Sequence, residues 1–129
     1  FDDTTAGRFK CMLVESSYTP NFATDSVKAD VSGEVSAGVG YVAGGEALTG
    51  VTFAISGGAA AAIITWDAAD VTWAASTITN AAAAVIYNTS ETGEPLIAYV
   101  DFGGNFSTTS GTFQIVWNAS GIFTLDVTP

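Results

Sequence analysis

Apolar and polar residues alternate with a period of two along most of this chain, the pattern of strands rather than helices. Across 8–15, Phe9, Cys11 and Leu13 fall on one parity and Lys10, Met12 and Val14 on the other. That predicts a strand covered on both faces. Residues 16–21 break it with turn formers and Pro20. Residues 24–31 predict a short helix, because Val27 and Val31 stand four apart and Thr24 or Asp25 is placed to cap it. From Gly33 to Gly50, the repeated glycines favour tight, irregular backbone. Strands are then predicted at 51–56, 60–66, 71–73, 82–88, 95–102, 112–117 and 122–127. The last two, joined through Asn118 and Gly121, read as a hairpin. Alanine runs at 59–62 and 81–84 adjoin β-branched and aromatic residues and are too short for stable helices. They read as strand positions where a facing sheet or a neighbouring subunit approaches closely. The expected fold is all-β: one domain over 1–129, a β-sandwich or jelly-roll-like barrel with one short helix near the N-terminus.

Composition narrows the chemistry more than it narrows the fold. The 129 residues are 48% hydrophobic and only 12% charged, ample for a core and unlike a disordered chain. There is no histidine, and the cations are confined to Arg8, Lys10 and Lys28, for a formal net charge of -10. Conventional Ser/His or Cys/His nucleophile pairs and imidazole metal ligands are thereby excluded. Nucleic acid is not an expected partner, since phosphate binding rests on Lys and Arg. No apolar run approaches the roughly 20 residues of a membrane helix, so no membrane partner is expected either. The single Cys11, inside a predicted strand, reads as a small core residue rather than a reactive thiol.

The remaining motifs weigh toward structure. Asp67 and Asp70 between Trp66 and Trp73 have the residue types of a sugar-cleaving or calcium site. Two carboxylates in one turn more readily bond backbone there, while the tryptophans pack inside. Gly38 to Ala43 satisfies the looser dinucleotide fingerprint, but it lacks the strand-to-helix setting that gives this motif meaning. Asn88, Asn105 and Asn118 match glycosylation acceptors, a weak signal in a chain this rich in Ser, Thr and Asn. No catalytic residue, metal or cofactor is expected. Tyr18, Phe22, Tyr41 and Phe106 sit among turn and glycine signals. They are the candidate interface residues: each either anchors a partner or folds back as a lid over the sandwich end.

Several segments in order resemble a family of small structural proteins of tailed bacteriophages. They are 10–14 followed by 16–21, 34–45 with 47–49, 67–73, 84–87, 96–103, 113–117 and 121–125. Chains of that kind carry a further N-terminal stretch, so the resemblance implies that this one starts partway in. It also implies a non-enzymatic virion component, a capsid decoration or cement protein on the outer capsid surface that stabilises capsomer contacts. The implied partners are the major capsid protein and the chain itself as a homo-oligomer, most often a trimer. A tail, neck or head-fibre component and a glycan-binding adhesion module are the alternatives. The acidic balance suits the first role, complementing basic capsid patches while keeping free copies soluble.

Overall fold

The computed structural model describes residues 7–58 and 61–127, and it is all-β: two antiparallel sheets packed face to face without closing into a barrel. In chain order the strands are β1 (Phe9–Glu15), β2 (Glu46–Ala47), β3 (Thr52–Gly58), β4 (Ala61–Asp67), β5 (Val71–Asn88), β6 (Leu96–Ile115) and β7 (Phe123–Val127). One sheet runs β2-β1-β5-β6 and the other β3-β4-β7. The core between them is aromatic. Phe9 meets Trp66 edge-on at 5.3 Å between ring centroids, and Trp66 stacks on Phe123 at the same distance. Trp73 lies against Tyr41 and Phe113.

The predicted strands at 71–73 and 82–88 are one strand, as are those at 95–102 and 112–117. β5 and β6 form a single long ribbon whose register slips at several bulges. Ala75 and Asn80 on β5 and Ser110 on β6 take positive φ. Bulges of this kind sharpen twist and bend, so the ribbon curls. Ser76, buried at one slip, bonds Thr108 Oγ1 at 3.1 Å and donates to the Gly111 carbonyl at 3.2 Å.

Two expectations are corrected. The final hairpin does not form. β6 pairs with β5, β7 pairs with β4, and the chain crosses between sheets over 116–122. The crossing is fixed by the Trp117 N–H donating to Asp70 Oδ1 at 3.0 Å and the Ile122 N–H to the Trp66 carbonyl at 2.9 Å. Nor is there a helix over 24–31, only a 3-10 turn at Lys28–Asp30. Val27 is extended and bridges Pro95. Short polar side chains take the backbone donors that a helix would have used: Asp30 Oδ2 accepts from the Ser26 and Val27 N–H groups at 2.9 and 3.1 Å.

The β2-β1-β5-β6 sheet is covered on both faces. Phe9, Cys11, Leu13, Ala84 and Ile86 face the second sheet. Met12, Val14, Ala83, Val85 and Tyr87 lie beneath the strap formed by residues 16–33, which contributes Tyr18 and Val31. The glycine-rich stretch lies against the same sheet at van der Waals limits. A Cβ on Gly45 would fall 1.9 Å from the Cys11 carbonyl oxygen, and one on Gly40 would fall 2.6 Å from Ser76 Cα. Both glycines also have positive φ. Gly40 and Gly45 therefore serve close backbone packing, and no helix follows this stretch. Gly45→Ala is expected to cost about 2–4 kcal/mol. Gly38→Ala, at a position with open space around it, should stay within about 0.5 kcal/mol of the parent. Urea denaturation of both variants checks this, and equal midpoints would refute the close-packing account.

Candidate functional site

The four candidate aromatics divide into two pairs. Tyr41 and Tyr18 are buried, and Phe22 and Phe106 are exposed. Tyr41 folds back over β1: its hydroxyl accepts the Leu13 N–H at 3.0 Å and donates to Glu34 Oε1 at 2.9 Å. The same carboxylate oxygen accepts the Gly44 N–H. Burial pushes the Tyr41 hydroxyl well above its ordinary pKa, and the nearby Glu34 charge adds to this. Tyr18 folds back over the other face of the sheet. Burial, and then its hydrogen bond to Asp25, pushes its pKa up to about 12. These two aromatics are lids, and each hydroxyl is fixed by a carboxylate seven residues away along the chain, Asp25 for Tyr18 and Glu34 for Tyr41.

Phe22 and Phe106 remain available. Phe22 is 82% exposed on the strap, in a T-shaped contact with Tyr99. Phe106 is 52% exposed on the bend of β6. It borders a cleft of about 670 Å³ along the inner side of that bend. Phe102, Phe113 and Ile115 line the cleft from β6, and Trp117 and Ile122 line it from the crossing segment. The curl of β6 brings Phe102 within 6.0 Å of Phe113, centroid to centroid. Polar groups at the cleft include Gln114 and Asn118, and no lining residue is charged.

The carboxylates flanked by tryptophan do not converge on the cleft. Asp67 Oδ1 accepts the N–H of Ala68 at 2.9 Å, and Asp70 ties down Trp117. Trp66 and Trp73 are buried. Among the described residues no cluster of three or more acidic or Cys side chains is placed to hold a metal ion. Cys11 is buried, and burial pushes its thiol up to about 12, away from thiolate chemistry. Sequence reasoning did not single out the cleft, because its walls are brought together only by the curl of β6. Nor did it single out Ile55, Leu125 and Val127, which alternate as core residues would and yet are exposed. No protein-family model, curated protein or solved structure matches the chain.

The strap that presents Phe22 is held by Asp25. Its carboxylate accepts the Asn21 N–H and the Tyr18 hydroxyl, each at 2.9 Å, and the Thr24 hydroxyl at 3.2 Å. These bonds, the Asn21 backbone N–H foremost, hold its carboxyl below the ordinary 3.8. Folding thus favours the ionised form. Its contribution is complete above that ordinary value and is lost as pH falls through the lower folded one. Acidification below about pH 4 should loosen the strap and change the near-UV dichroism of Tyr18 and Tyr99. Asp25→Asn should lack this step. An identical acid response in that variant would show that the lock lies elsewhere.

Proposed function

We propose that this chain is a non-enzymatic structural protein of a tailed-bacteriophage virion: a capsid decoration or cement protein that stabilises capsomer contacts from the outer surface. It acts as a homo-oligomer, a trimer on the strength of the sequence resemblance. The observation that carries the reading is the outward display of large apolar side chains, Phe22 and Phe106 above all, on a tightly packed and sparsely charged β-sandwich. Exposed aromatics on a rigid scaffold lose little conformational entropy on binding, which is what an interface anchor requires. The net charge of -10 supplies attraction to basic capsid patches.

Capsids of the encoding phage that lack this protein provide the test. The purified chain should sediment with them at a fixed stoichiometry and raise the temperature at which they disrupt. Phe22→Asp and Phe106→Asp should each weaken binding tenfold or more, about 1.4 kcal/mol or above. Capsids that neither bind the chain nor gain stability from it would sink the proposal.

The cleft favours one second reading, glycan binding, because Trp117 and Phe106 border it together with the amides of Gln114 and Asn118. Trp66 and Trp73 are buried, so a saccharide there would change the emission of Trp117 alone. Glycan-dependent quenching that disappears in Trp117→Phe would support this reading, and an unchanged spectrum across a glycan panel would remove it.

A further inference from the structure

The β3-β4-β7 sheet is longer than the core it covers. Register places Phe53, Trp66 and Phe123 side by side in one row. The next row on the same face is Ile55, Ile64 and Leu125, followed by Gly57, Ala62 and Val127, since residues two apart on a strand share a face. The first row packs into the core. Beyond it the face stays apolar and loses its cover: Ile55 is 67% exposed, Leu125 56% and Val127 48%. The opposite face of the same strands is mostly polar, with Thr52, Ser56, Thr65, Asp67, Thr124 and Asp126, although it also carries Ile63, 42% exposed. The overhang is therefore the inner face of a sandwich continued past the end of its opposing sheet.

We infer that the occupant of this overhang is the equivalent face of another copy of this chain, each copy supplying the opposing layer that the other lacks. Two features of the molecule select a second copy over a different partner. The overhang holds no charged side chain, whereas the chain as a whole carries -10. It is therefore where two like-charged copies meet with least repulsion, and a basic partner would gain more from the carboxylate-bearing surfaces. The face also continues the intramolecular sheet-to-sheet interface. Another overhang stacked at about 10 Å repeats the packing already made at Trp66. Three strands at about 4.8 Å spacing and two exposed rows offer only a few hundred Å² per copy. A standard interface buries about 800 Å² on each side, so the pairing depends on concentration rather than being permanent. This deepens the proposed role, and it rests on that reading only for the setting in which copies are brought side by side.

Sedimentation velocity over a dilution series, at low and high salt, tests it on three forms of the full chain. The parent should assemble into dimers, the closed product of a face that pairs with itself, and more tightly as salt rises, because screening removes repulsion while the contact itself is neutral. Leu125→Asp should weaken assembly at least tenfold. Thr124→Asp, which adds the same charge to the polar face of the same strand, should assemble as the parent does. Near-UV dichroism confirms folding, and Ile55→Asp probes the same face from β3 if Leu125→Asp is misfolded. A parent that stays monomeric to about millimolar concentration overturns the inference. So does equal assembly of the Leu125 and Thr124 variants. A parent that assembles in this way but ignores capsids refutes the cement role and leaves the pairing intact.

Discussion

The hydroxyl of Tyr41 accepts the N–H of Leu13 and donates to Glu34, which in turn accepts the N–H of Gly44. This small network does what a neighbouring strand would ordinarily do. β1 is buried, yet its partner β2 spans only Glu46–Ala47, leaving most of the outer edge of β1 without a ladder. Buried backbone donors and acceptors have to be paired. The glycine-rich stretch pairs them one at a time: Val35 donates to Leu13, Glu15 donates to Gly33, and Tyr41 receives Leu13. That coverage requires backbone at a separation where a Cβ does not fit, so Gly45, against Cys11 and Met12, belongs to the same constraint. Once the edge is closed, the strap can lie over one face and the second sheet over the other.

How far the sequence discloses this arrangement depends on the range of the signal. Alternation is local, and it correctly marked both parities of 11–14 as covered, because each parity is apolar there. It marked strands at 71–73 and 82–88 but not their continuity. Between them, small and polar residues dilute the pattern, and the chain stays in the ladder only through bulges at Ala75 and Asn80. Partner choice is not local at all. Residues 112–117 and 122–127 both look like strands separated by a turn, and nothing in their alternation tells a hairpin from a crossing between sheets. The difference lies in Asp70 and in the Trp66 carbonyl, far away in sequence, which capture the backbone on either side of the turn.

The candidate aromatics illustrate the same limit. Turn residues around Tyr18, Phe22, Tyr41 and Phe106 mark all four as outside regular strands without saying which way each points, and for Phe106 that mark is wrong: it lies within β6, opposite Ala81, where bulges carry the ladder past the surrounding glycine and polar residues. The tyrosines carry a hydroxyl that finds a buried or half-buried partner, and they turn inward. The phenylalanines have no polar end to anchor, and both remain exposed, Phe22 on the strap and Phe106 beside the cleft. The polar tip, rather than the ring, separates lid from display here.

Stability within the molecule is unevenly distributed as a consequence. The Phe9–Trp66–Phe123 contacts mark where packing between the sheets ends. On the core side, each strand is held by ladder bonds and by apolar burial together. On the other side, the β3-β4-β7 sheet keeps its ladder while Ile55, Leu125 and Val127 are exposed, and a three-stranded sheet needs a covered apolar face to be stable in its own right. Local opening costs least where few apolar contacts are lost, so the overhang is the part of the fold that frays first. It is also the part that gains most from a partner, because docking there supplies the burial that the ladder lacks. A chain with a closed, glycine-fitted edge on β1 and an uncovered face on β4 has thus blocked strand addition on one side and left stacking open on the other. The proposed pairing uses that asymmetry: copies would meet face to face through the smaller sheet, leaving the strap and its Phe22 on a different surface.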